Sequence, residues 1–431
     1  LNNLYLALQL IPMNSGGLSA AAPWQLEIAR FLIPALTALA AVKALAIFFR
    51  DQAQTIHLKT ISKHTIICGL SHKGYLLTQR FLEEHNQIVV IERDEGNDWV
   101  EICRQQGVIV LTADAREPLT LIKAGIQRAR VLIAVCDDDA VNAEIMQHAR
   151  QLCQHRQDEA LTCLVHLVDP RLYELLKVNE LSAYTDEPFS LEYFNVFERG
   201  ARLLLNDFPP FKHAAHSILV VGVGWIGENV VIQAARLWRD THANGNEKLL
   251  LRLVDKNAKA ITSKLLVRYP PLSRYCSIEP IEIDVHSPEF EKADFLFETP
   301  RQEITASGGL PASCVGIVYI CLDNDTLGLH TALALRNRIR EDTVPVIVRM
   351  TEKGGLSTLI NQASTMDQPT QSEGIFGNLH SFSLLDRTCT TDLLLGTHEI
   401  LARALHESYL SQQEQAGVRL ADNPQLIPWE Q

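Results

Sequence analysis

The chain has 431 residues, 47% of them apolar, and a net charge of −12. That length suffices for two or three domains with large cores, and the acidic balance argues against a nucleic-acid partner. Nine cysteines include no C-x-x-C pair, which speaks against a disulfide framework or a thiolate zinc site and for buried thiols in a reducing compartment.

The chain opens on Leu1, without a methionine or a signal-peptide n-region, as a piece of a longer protein would. Residues 4–13 form an apolar run too short to span a bilayer, followed by Asn14-Ser15-Gly16-Gly17. Residues 24–49 are the most apolar stretch; from Phe31 to Phe49 only Lys43 is charged, and Pro34 would kink such a helix without ending it. Residues 1–29 hold no Lys or Arg, whereas Arg50, Lys59 and Lys63 follow the segment. A membrane helix with a cytoplasmic C-terminal end is the expectation; a buried helix of a soluble protein is the other reading. Half-helix, glycine turn and full helix together follow the order of a pore loop and inner helix, although no T-V-G-Y-G-like filter string occurs. Residues 51–63 read as a polar linker.

Thr65–Asp94 then reads strand, glycine turn, helix, strand, acid, the opening of a dinucleotide-binding βαβ unit. Gly69 permits the tight turn and Gly74 close packing of the helix, while Ser71 replaces the middle glycine of G-x-G-x-x-G. His72 and Lys73 are placed to face a pyrophosphate at the helix N-terminus. Glu92, with Arg93 after it, stands 23 residues beyond Gly69, where a ribose-hydroxyl acceptor belongs. Strands near 108–111, 130–135 and 161–168 alternate with helices, which predicts a parallel sheet with Gly69, Glu92, Asp114 and Asp137 at strand C-terminal ends. The run Asp137-Asp138-Asp139 reads as a helix-capping cluster rather than a metal site.

The pattern repeats. Ser217–Val221 leads into a full G-x-G-x-x-G carried by Gly222, Gly224 and Gly227, and the strand from Leu249 ends on Asp255. Further strands are expected at 281–283, 316–321 and 344–349, with Ala183–Phe211 joining the halves and 351–380 as a loop. The second glycine loop carries Trp225 and no basic residue, so it is either a second ligand site or a Rossmann half kept for packing. No catalytic constellation appears, and both halves are cofactor-like, so an enzyme is not expected.

Residues 64–210 resemble an RCK (TrkA-N) domain, through the IICGLSHKG turn, VVIERD, the TADA string at 112–115 and IAVCDDDAVN ending at Asn142. Residues 217–350 look like a second, more divergent copy. Residues 399–431 are similar to the first half of a ryanodine-receptor (RyR) repeat, through Ala402, His406-Glu407-Ser408-Tyr409, Asn423-Pro424 and Pro428-Trp429-Glu430. The resemblance implies an α/β chain of tandem Rossmann-like, doubly wound parallel sheets. It divides into a pore-loop-like segment and membrane helix (1–50), a linker (51–63), a first RCK domain (64–211), a second (212–396) and a partial α-helical RyR domain (397–431). It further implies that Gly69, Ser71 and Gly74 line phosphates, that Glu92 takes the ribose and that Asp114 lies near the adenine. The ligand would be NAD(H) or an adenosine phosphate (ATP, ADP or AMP). The protein would be a nucleotide-regulated cation channel, potassium-like, homotetrameric, in the inner (plasma) membrane with its RCK and RyR domains cytoplasmic. A nucleotide sensor with a non-conducting membrane segment and an NAD-dependent oxidoreductase are the alternative readings.

Overall fold

The computed structural model describes residues 24–156, 159–181, 188–211, 217–241, 247–292, 315–336, 344–355, 357, 360 and 378–395. The pore-loop-like segment before Trp24 and the RyR-like tail after residue 396 lie outside the described residues.

Helix α1 runs from Trp24 to Thr60, 37 residues, and passes through Pro34. The expected linker is therefore largely helix. Asp51–Thr60 contains no Gly or Pro to stop it. The helix ends on the first fold, where Arg128 donates from Nε to the Ile61 carbonyl (3.1 Å) and from Nη2 to the Leu58 carbonyl (2.9 Å). Carbonyls that a helix end leaves unpaired are thus capped from another element, and Leu58 and Ile61 are buried. Phe31, Leu32, Leu36, Leu39, Val42 and Leu45 of α1 are all at least half exposed. Among the described residues no helix is long and apolar enough to cross a membrane.

Two six-stranded sheets follow, parallel at every pairing. The first holds β1 (Thr65–Cys68), β2 (Ile88–Glu92), β3 (Ile109–Thr112), β4 (Val131–Ala134), β5 (Leu161–His166) and β6 (Phe189–Phe194), in the order β3-β2-β1-β4-β5-β6. The second holds β7 (Ser217–Val221), β8 (Leu249–Asp255), β9 (Cys276–Glu282), β10 (Ile317–Ile320), β11 (Val346–Met350) and β12 (Leu379–Ser383), in the order β12-β11-β10-β7-β8-β9. Counted within itself, each sheet has the doubly wound order in which the chain reverses direction beside its first strand. The central strands are apolar on both faces, as strands covered by helices on two sides must be; all residues of β1, β4, β7, β10 and β11 are buried.

The strand expected at 281–283 is β9 and begins at Cys276, and two further strands lie in segments read as connections. The joining segment 183–211 carries β6, followed by the helix Val196–Asp207, and β12 begins inside the expected loop at 351–380. Both are last strands at a sheet edge, where β6 alternates Phe, Ser, Leu, Glu, Tyr, Phe and lacks the continuous apolar run of a central strand.

The two folds pack directly on each other. The helix Val196–Asp207 lies on the helix Trp225–Thr241, and a single apolar cluster runs from Ile67 and Leu77 through Leu204 to Ile226 and Leu384. A Cβ on Gly200 would stand 2.2 Å from Leu384 Cδ1, so glycine permits that approach. Arg387 closes the contact on Asp207 at 2.7 Å.

Candidate functional site

In the first fold, the C-terminal ends of β1 and β4 lie side by side, and the loop after β1 crosses the cleft where the strand order reverses. Gly69 has φ +97°, a left-handed conformation, and a Cβ there would touch the Cys136 backbone at 3.0 Å. Gly74 is tighter still: a Cβ would lie 2.0 Å from the Gly69 carbonyl oxygen. The close approach it permits is therefore of the helix to the turn itself. The helix His72–Glu83 begins here with Ser71 at its N-cap, and the Ser71 hydroxyl is buried without a hydrogen-bond partner among the described residues. An orphaned hydroxyl beside the free amides of a helix N-terminus is a set of donors suited to a phosphate.

Glu92 ends β2 and ties the loop down. Its Oε2 accepts from the Leu70 amide at 2.7 Å and its Oε1 from the Asp94 amide at 2.8 Å. Each oxygen keeps a lone pair, so the carboxylate can hold the loop and still accept from a ribose hydroxyl. Asn97, absent from the sequence reading, secures the same loop by donating to the Leu70 carbonyl at 2.9 Å while capping the next helix through Trp99 N–H. Arg93, beside Glu92, is exposed.

Asp114, at the end of β3, forms a bidentate pair with Arg116, from 2.6 to 3.1 Å. That guanidinium holds the Asp114 carboxyl below its usual range. Arg116 stands only two residues away in the sequence but matches no motif.

The three acids after β4 part company. Asp137 pairs with Lys73 Nζ at 3.0 Å, Asp138 caps the following helix through Ala140 N–H, and Asp139 accepts from the Val168 and Asp169 amides. Lys73 is thus held by a carboxylate across the mouth of the cleft rather than standing free toward a phosphate. His72 is likewise engaged: its Nε2 lies 3.1 Å from Glu352 Oε1 of the second fold, and its ring meets Trp99 edge-on. Glu352 is 280 positions away in the sequence, and no local signal could have found it.

Asn142, fully buried, stitches β4 to β5 by donating to the Cys136 and His166 carbonyls and accepting from the Cys136 amide. Burial drives the His166 imidazole from 6.5 down to about 3. Its folded pKa lies below its unfolded one, so its contribution to stability is complete above about 6.5. Stability is then expected to fall by up to about 1.4 kcal/mol per pH unit between there and about 3. Urea unfolding at pH 7 and pH 5, wild type against His166→Phe, checks this; an equal acid loss in both would exclude His166 as the cause.

The second fold repeats the turn geometry and the acid that holds it. Gly222 has φ +83°, a Cβ on Gly227 would lie 2.2 Å from the Gly222 carbonyl, and Asp255 accepts from the Val223 and Asn257 amides, both at 3.0 Å. Gly224 faces Asp323, whose Oδ2 would lie 3.8 Å from a Cβ at that position. Asp323 stands where Asp137 stands in the first fold, and Trp225 and Ile226 stand where the first loop has His72 and Lys73. Trp225 turns outward, 43% exposed, into a cleft of about 930 Å³ between the folds. Its charged groups already face one another, Glu198 on Arg202 and Arg236, and Glu228 on Arg268.

Residues 65–180 match the TrkA-N domain family. Potassium channel protein 1 of Methanocaldococcus jannaschii is 30% identical over 105 residues, 24% of this chain and 32% of that protein. Probable potassium channel protein 2 of the same organism is 28% identical over 168 residues, 36% of this chain and 48% of that one. The chain thus spans a third to a half of the length of these curated relatives. Among solved structures, GsuK bound to ADP is similar with a TM-score of 0.49 at 15% identity, over 92% of this chain and 89% of that one. The GsuK channel bound to NAD gives 0.49 at 12% identity, over 91% and 76%.

Proposed function

We propose that this chain is the nucleotide-reading part of a membrane cation channel or channel-like protein, in which both Rossmann-type folds are RCK domains. An adenine nucleotide, NAD(H) or an adenosine phosphate, binds the first glycine loop, Gly69, Ser71 and Gly74, and biases the arrangement of the two folds. The observation that carries this reading is Glu92, whose carboxylate holds the Leu70 amide with capacity left for ribose hydroxyls. An acid at that place favours a free 2′-hydroxyl over a 2′-phosphate, so NAD(H) should outbind NADP(H). Asp114 lies at the adenine end, steadied by Arg116. The similarity of this region to potassium channel proteins, which are not enzymes, supports a regulatory rather than catalytic use of the fold.

In this proposal the apolar side chains of α1 meet the hydrocarbon of the inner membrane, and the nucleotide folds face the cytoplasm. The Arg128 cap on the end of α1 makes the helix an extension of the first fold, so a rearrangement of the folds reaches it without slack. Two folds per chain allow four chains to close an eight-fold ring beneath a four-fold pore. A ligand moves such a ring only by its differential affinity for two arrangements, and a tenfold preference amounts to about 1.4 kcal/mol per site.

Light scattering in detergent should show a homotetramer, and potassium flux from liposomes should change when nucleotide is added. A dimer with absent or nucleotide-insensitive flux would instead mean a sensor with a non-conducting membrane segment. Turnover of reduced cofactor would mean an oxidoreductase.

A further inference from the structure

The two basic side chains of the first glycine loop are each held by a carboxylate. Lys73 is on Asp137 of its own fold, and His72 is on Glu352, which follows β11 of the other fold. Glu352 is unusual among these. Its Oε1 is buried, makes no hydrogen bond, and has His72 Nε2 at 3.1 Å. One neighbouring contact holds this part of the second fold against the helix that starts the site, and a second ties that contact to the residue after Glu352. Arg80 reaches Asp386 at 3.6 Å, and Asp386 in turn accepts from the Lys353 amide. The Glu352 carboxylate is therefore a fixed negative charge about one imidazole ring away from the N-terminus of the phosphate-facing helix.

We propose that Glu352 completes the first nucleotide site from the second fold and sets its selectivity by phosphate charge. The inference rests on the nucleotide reading of that loop. One phosphate can sit on the helix N-terminal amides and the Ser71 hydroxyl. Any phosphate beyond it passes Lys73, whose charge is already met by Asp137, and His72, whose Nε2 already faces Glu352. A like charge at this range opposes an anion, and a partly buried one is poorly screened by salt. The site thus takes ligands with little phosphate charge beyond the first group, such as AMP or a dinucleotide pyrophosphate that continues into a neutral or cationic ring. It discriminates against a free triphosphate. The contact that makes this choice is also one that joins the two folds, so the charge of the ligand is read at the interface between them.

Calorimetric titration of the full chain with AMP, ADP, ATP and NAD, in the absence of divalent cations, tests this. In the wild type, affinity falls as phosphates are added, ATP binding about tenfold more weakly than AMP, or about 1.4 kcal/mol. In Glu352→Gln, which keeps the shape and removes the charge, ATP gains about tenfold while AMP and NAD change little. Wild-type ATP affinity equal to or above that of AMP overturns the inference, as does an unchanged ATP-to-AMP ratio in a folded Glu352→Gln protein. Should that variant not fold, the wild-type series decides alone. No binding of any of the four ligands overturns the nucleotide reading itself, and this inference with it.

Discussion

Replacing Gly74 with alanine is expected to destabilise the first fold by about 3 kcal/mol and to abolish nucleotide binding. The added methyl would sit 2.0 Å from the Gly69 carbonyl oxygen, a backbone atom that cannot swing aside as a side-chain tip can. Relief requires the helix His72–Glu83 to shift away from the turn, and that shift carries the helix N-terminus out of the cleft. Gly227→Ala brings a methyl within 2.2 Å of the Gly222 carbonyl and should cost the second fold a similar amount. Nucleotide affinity at the first loop should survive it. Urea unfolding with calorimetry on both variants checks the pair. Loss of binding in Gly227→Ala alone would place the nucleotide in the second fold.

Removing the Glu92 carboxylate is expected to have the next largest effect. Glu92→Ala leaves the Leu70 and Asp94 amides without their acceptor, and Leu70 is fully buried. An orphaned buried amide costs about 1–3 kcal/mol, and the lost hydrogen bonds to ribose, with one charged partner, a further 1.5–3 kcal/mol or so. Affinity should therefore drop by at least about tenfold. Asp255→Ala, the matching change in the second fold, removes the acceptor of the Val223 amide and should leave that affinity intact.

Much of the fold was legible because parallel α/β structure writes itself locally. Thr65–Cys68 and Ser217–Val221 are strands at the residues read from their apolar runs, and each is followed by its glycine turn and helix. The edge strands β6 and β12 were not legible. An edge strand is half exposed or built from small polar residues, and neither Phe189–Phe194 nor Leu379–Ser383 carries the unbroken apolar run of a central strand. The continuation of α1 to Thr60 was missed for the opposite reason: a polar sequence without breakers reads as a linker until something caps its end, and the cap, Arg128, is distant in the chain. The glycine loop and its acid were legible as a motif because their spacing is local. What holds the loop's charged side chains was not. Lys73 and His72 read in sequence as facing a pyrophosphate, whereas Asp137 and Glu352 reach them through the fold.

The first glycine loop, held by Glu92, is the proposed adenine-nucleotide site. Its most direct test is calorimetric titration of NAD and of ADP into the purified full chain, wild type beside Glu92→Ala. Saturable binding to the wild type, weakened at least about tenfold in the variant, is the predicted result. Binding of equal strength in both proteins, or none in the wild type, would contradict it.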